Sequence, residues 1–190
     1  YPAMATVLII ILVIIALLVI FFIVGFNKLK KADIHAEEAL GGIDVQLTRR
    51  ADLIPNLVET VKGYASHEKG VFEEVTAARA RVTEAARNGT VDEKAAAEAQ
   101  MDKALVNVMA VAENYPDLKA STNFLNLQQE LADTENQLAF ARQYYNDAVA
   151  TLNKLVATIP WMFFSGMAGV SRRDFYQAPA GQTAPPTVSY

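Results

Sequence analysis

Hydrophobic positions follow two different rules along this chain. From Ala5 to Phe26, "ATVLIIILVIIALLVIFFIVGF", 22 residues pass without a charge. A bilayer core of about 30 Å needs roughly 20 apolar residues as a helix. A secretory signal peptide has a shorter apolar core, a basic lead-in and a small-x-small cleavage site. The stretch therefore reads as a retained transmembrane helix over 5–26, behind a short N-terminal extension, 1–4.

Beyond the span the apolar residues fall into helical step. Leu29, Ala36, Ile43, Leu57 and Tyr64 share one seven-residue ladder, and Leu40, Leu47, Ile54 and Val61 its companion. Together they make one stripe, a helix over about 27–65. Ser66 is placed to cap a second helix, 67–88, which carries Phe72, Val75 and Val82. Asn88-Gly89 would end it, with glycine in the left-handed conformation. Thr90 and Glu93 form a capping box that opens a third helix, 91–114. The fourth, 117–160, has the strongest period: Phe124, Leu131, Leu138, Tyr145, Leu152 and Ile159 recur every seventh residue. Its companion row turns small at Thr134, Ala141 and Ala148, a notch that a neighbouring helix should fill. Short loops make neighbours antiparallel. The expected fold is all-α: the transmembrane helix continues into a long antiparallel four-helix bundle with coiled-coil-like packing over 27–160.

The fourth helix then returns toward the membrane. "IPWMFFSGMAGV", 159–170, is apolar but too short to span, and tryptophan favours the membrane interface. Trp161, Phe163 and Phe164 are the candidate interface residues in a membrane-proximal segment, 161–176. The alternative is that 159–170 covers the bundle end. The remainder, 177–190, is rich in Pro, Gly and Thr and is expected to be disordered.

"QLTRRADLIPNLVETV", 46–61, interrupts the stripe with charge and a proline. The phase holds through Pro55, which favours a kinked continuous helix over a restart capped by Asp52. Arg50 then falls on the core seam while Arg49 does not. A buried arginine needs a carboxylate, so a buried polar network of Arg50, Thr134 and Glu135 is expected, with Arg50 in the notch.

A net charge of −4 gives no support to nucleic-acid binding. With no cysteine there is no disulfide, thiol catalysis or zinc–thiolate site, and two histidines, His35 and His67, offer little to a metal. Glu37/Glu38 and Glu73/Glu74 are adjacent and so do not face each other on a helix. No phosphate loop, HExxH or GxSxG motif is present. No cofactor, metal or catalytic residue is expected, and the chain reads as no enzyme. Lys28, Lys30 and Lys31 come directly after the span. The positive-inside rule then puts the large C-terminal part in the cytoplasm, N-terminus out.

"RRADLIPNLVETVKGYASHE" (49–68), "YPDLKA" (115–120), "FLNLQQELADTENQLAFARQYYNDAV" (124–149) and "IP" (159–160) resemble the LemA family, from the span to about Val170. The motif residues are Arg49, Arg50, Asp52, Pro55, Asn56, Glu130, Thr134, Glu135, Asn136, Arg142, Tyr145 and Asn146. Gln137-Leu138 departs from the pattern, where a basic residue is common. The resemblance implies a helical bundle anchored in the bacterial cytoplasmic (inner) membrane, with no reaction attached. Family members are often encoded near membrane proteases, so a membrane protease or other membrane protein is a possible partner beside the lipid bilayer. Three classes remain: a scaffold or adaptor that forms a homo-oligomer or joins another membrane protein, a membrane-shaping protein that inserts its 159–170 patch into one leaflet, and an enzyme with an unrecognised site. The absence of a catalytic constellation ranks them in that order.

Overall fold

The computed structural model describes residues 2–177, and every regular element in them is helical. The expected tail, 177–190, lies outside the described residues apart from Gln177. Helix α1 covers Pro2–Lys62, α2 Lys69–Asn88, α3 Val91–Ala112, α4 Pro116–Lys119 and α5 Thr122–Ala157. A 3₁₀ turn, Trp161–Phe164, and a short helix α6, Ser165–Ala168, complete the order. The described chain falls into two compact units. One comprises the chain up to Glu38 together with Asp147–Arg173, and the other comprises Ala39–Asn146 and the chain from Asp174 onward.

In the first unit every residue from 2 to 24 is exposed. This is the one stretch among the described residues long and apolar enough to cross a membrane. Pro2 to Met4 are already helical. Burial begins at Gly25 and continues at Leu29 and Ala36.

In the second unit the stripe of α1 is buried at Ile43, Leu47, Ile54, Leu57 and Val61. Tyr64, expected on the ladder, lies beyond the end of α1 and is exposed. Ala39 is buried where Leu40 was expected and Leu40 only half so. On α5 the seam is buried at Phe124, Leu131, Leu138 and Tyr145. Its last expected member, Ile159, lies past the helix and is exposed.

Several boundaries differ from the pattern. The second helix starts at Lys69 behind Glu68, not behind Ser66. The Tyr64–Glu68 turn closes on itself, Glu68 N–H donating to the Ala65 carbonyl, and leaves the Ser66 hydroxyl too far back to cap. Gly89 is extended (φ −78°, ψ 155°) rather than left-handed. Glycine is needed there for close approach: a Cβ would lie 2.7 Å from the Ala85 carbonyl oxygen. Thr90 does cap α3, its hydroxyl accepting from Glu93 N–H at 3.2 Å. The fourth predicted helix is split. Pro116 opens α4, a turn intervenes, and Ser121 accepts the Phe124 N–H to start α5.

Pro55 sits inside α1. Having no N–H, it cannot satisfy the carbonyl four residues earlier, that of Ala51. Arg79, half-buried on α2, supplies the missing donor, its Nε donating to Ala51 O at 3.1 Å. The helix continues through its proline because a side chain from a neighbouring helix replaces the lost hydrogen bond. Arg79→Ala should therefore cost about 1–3 kcal/mol, the range for an orphaned buried acceptor. In a Pro55→Ala background the restored N–H meets the carbonyl, and the same change should cost clearly less. Denaturant midpoints of the four chains in detergent give the coupling directly.

Candidate functional site

The second unit holds a charged core drawn from three helices and the chain after them. On α3, Glu98 and Asp102 are one turn apart and face the same side. Each meets an arginine from a different helix. Arg50 of α1, 4% exposed, pairs through Nη2 with Asp102 at 2.5 Å. Arg142 of α5 donates through Nη1 to Glu98 Oε1. The second Glu98 oxygen accepts from the Tyr176 hydroxyl at 2.6 Å, and Glu98 is 2% exposed. Two acids and two arginines thus leave the core without net charge.

Burial pushes the Glu98 carboxyl above the ordinary carboxylate range, against the Tyr176 hydroxyl and Arg142, which pull the other way. Asp102 is raised in the same manner, with burial opposed by Arg50 and assisted by Glu135. Burial beside the Glu98 charge raises the Tyr176 hydroxyl as well, so it stays a donor. A perturbed carboxyl can mark a reactive group. Here Glu98 is enclosed by its partners, and this arrangement suits the holding of charge more than proton exchange with a substrate.

Arg50 is buried on the seam as expected, and it forms an ion pair with Asp102 of α3. Thr134 is fully buried and bonds its own helix at the Leu131 carbonyl. Glu135 is exposed, and with Arg50 and Asp102 it lines an open groove of about 1130 Å³ whose walls include Leu105, Met109 and Leu131. Arg49, Asp52, Pro55 and Asn56 are exposed or half-buried on the outer side of α1, and Glu130 and Asn136 are exposed on α5. Asn56 and Glu130 do come together, in a polar groove of about 360 Å³ shared with Asn123 and Asn126.

The remaining motif residues hold backbone. Asn146 grips Tyr176 at both main-chain groups: its Nδ2 donates to Tyr176 O at 3.1 Å and its Oδ1 accepts Tyr176 N–H at 2.8 Å. The Tyr145 hydroxyl donates to Asp174 O at 2.9 Å. In the first unit Asn153 treats Arg173 in the same way, at 3.0 and 2.9 Å. Arg173 there also bridges Asp33 and Glu37. The partners unforeseen from sequence are therefore Glu98, Asp102, Asn153 and Tyr176. Glu98 carried a signal: Lys94, Glu98, Met101, Leu105, Val108 and Ala112 alternate by four and three, a seam with two charges in it. Lys94 is buried like Glu98 and pairs with Asp44 of α1 at 2.5 Å.

The interface residues belong to the first unit. Trp161 stacks on Phe21 with ring centroids 6.4 Å apart. Phe164 is buried between Phe21 and Phe22, at 5.4 and 5.8 Å, so it packs on protein and is not a lipid-facing residue. Phe163 is exposed. Among the described residues no three His, Asp or Glu side chains gather in a way that could hold a metal ion.

Comparison with known proteins gives this site a context. The model of the LemA family matches residues 39–190, starting after the apolar stretch. The magnetosome protein MamQ of Magnetospirillum gryphiswaldense is 25% identical over 172 residues, covering 78% of this chain and 63% of that protein. MamQ 2 of Paramagnetospirillum magneticum is 26% identical over 164 residues, covering 74% and 60%. The chain thus spans about three fifths of the length of these relatives.

Arg50→Ala leaves half-buried Asp102 without its cation and should lower unfolding free energy by about 1–3 kcal/mol. Arg49→Ala, on the exposed side, should stay within about 0.5 kcal/mol. Denaturant titration of both variants in detergent checks the contrast. The Glu98 carboxyl gives a signed pH effect. Its folded pKa lies above its unfolded one, so the folded state binds more protons between the two values. Stability is therefore higher below that window and falls as pH rises through it. Glu98→Gln should flatten this fall as pH rises above the ordinary carboxylate range, read as the slope of denaturant midpoint against pH.

Proposed function

The chain belongs to the LemA family, and from that premise we propose that it is a membrane-anchored, non-enzymatic scaffold. It assembles on itself or on another membrane protein, such as a membrane protease. The anchored reading is carried by the exposure of every residue from 2 to 24, a surface that only lipid or protein would cover. The magnetosome proteins among its relatives support a membrane-associated role. The site of action in this reading is the bacterial inner membrane, crossed once, with Lys28, Lys30 and Lys31 on the cytoplasmic side. The helices of the second unit act as an antiparallel four-helix bundle whose charges are spent inside it. What it offers outward is surface, including exposed Val106, Leu125 and Phe140.

A second reading, membrane shaping, is favoured by one observation: Ile159, Phe163 and Met167 are exposed beside the aromatic contacts on α1. Native mass measurement after mild detergent extraction separates the two. The scaffold reading expects a defined homo-oligomer or a stoichiometric membrane-protein partner, retained by the Trp161→Ser, Phe163→Ser double variant. A bare monomer overturns it, and an assembly that dissolves only in the double variant favours membrane shaping.

A further inference from the structure

The first unit fixes the depth of its own apolar patch. The aromatic contacts of Trp161 and Phe164 all fall on residues 21–25 of α1. A Cβ on Gly25 would lie 2.6 Å from the Phe164 ring, so the glycine is the notch that admits it. Lys28 Nζ lies 4.3 Å from the centroid of the Trp161 ring, a cation–π contact. Starting at Ala5, about 20 residues at roughly 1.5 Å each cross the hydrocarbon core and end near Val24. The docked segment therefore sits where the span leaves the hydrocarbon.

At that level the segment turns apolar side chains outward. Ile159 is 74% exposed, Phe163 66% and Met167 64%. Phe21 to Val24 of the span are exposed too. Lys28 lies against Trp161, Lys30 and Lys31 follow it on α1, and Arg172 comes two residues after the patch in sequence; none makes an ion pair among the described residues. The next cation, Arg173, is already committed to Asp33 and Glu37. Aromatic and aliphatic tips beside cations that carry no salt bridge, held at a membrane edge, match an interfacial lipid-binding element.

We propose that residues 159–170 form a wedge in the leaflet where α1 emerges and that it binds anionic phospholipid. Ile159, Phe163 and Met167 enter the acyl boundary, and Lys28, Lys30, Lys31 and Arg172 hold the phosphate headgroups. This inference rests on the membrane-anchored reading above. It adds the lipid class and the residues that select it.

The chain has one tryptophan, which makes a direct test possible. Full-length Trp161→Phe, Phe163→Trp protein carries its only indole at an exposed tip, and Trp161→Phe, Met167→Trp gives a second, independent probe. Each is reconstituted in phosphatidylcholine vesicles doped with phosphatidylglycerol, with bromine on the acyl chains of one lipid or the other. The expected result is quenching by both brominated lipids, stronger for phosphatidylglycerol at equal mole fraction. Lys28→Gln, Lys30→Gln, Lys31→Gln and Arg172→Gln together should abolish that preference and leave the quenching. Single changes should weaken it by up to roughly fivefold each. Failure of the protein to float with the vesicles overturns the anchored reading and the wedge with it. Flotation with neither indole quenched overturns the wedge alone. Equal quenching by the two lipids in the otherwise unaltered chain overturns the anionic selectivity.

Discussion

Two carboxylates one turn apart on α3 set the constraint that the second unit must meet. Glu98 and Asp102 repel each other on their own helix, and burial raises both. Buried Glu98 could not stay ionised there without a cation brought from elsewhere, and half-buried Asp102 is stabilised by one in the same way. Arg50 comes from α1 and Arg142 from α5, so the electrostatic balance closes only when three helices meet in one register. Apolar stripes alone tolerate sliding by a turn, since leucine packs against leucine at many offsets. A paired charge does not.

The chain after α5 is treated differently. Residues 171–176 have no periodic pattern and no helix, and Arg173 and Tyr176 among them are held through main-chain groups by amide side chains. Asn146 does this in one unit and Asn153 in the other, each matching a donor and an acceptor to a single residue. Tyr176 adds one specific contact, the hydroxyl on Glu98. An asparagine on a helix face normally reads as solvated or as a register device. In this chain two of them act as peptide receptors.

Legibility depends on what each interaction draws on. Helix positions, the Thr90 cap and the burial of Arg50 are readable because they rest on local period, and period survives in sequence. The pairing of Arg50 with Asp102 is not, because it rests on which helix lies beside α1 at that level. The small notch at Thr134 points to α5, while the seam on α3 is masked by the charges it contains. Gly89 departs from expectation because terminating glycines usually serve positive φ, whereas this one serves contact with Ala85. The partners in 173–176 have no readable signal, since a side chain that binds backbone leaves no mark on the sequence it binds.

Pro55 acquires a further meaning from the Arg79 contact. A proline in a helix is usually counted as a defect to be endured. Its effect on Ala51 is to free one carbonyl on an otherwise closed surface, at one height. An α-helix rises about 5.4 Å per turn, and a slip of α2 by that distance would carry the guanidinium out of reach. The imino acid thus works as an index mark cut into the helix, and the arginine is the pawl that seats in it.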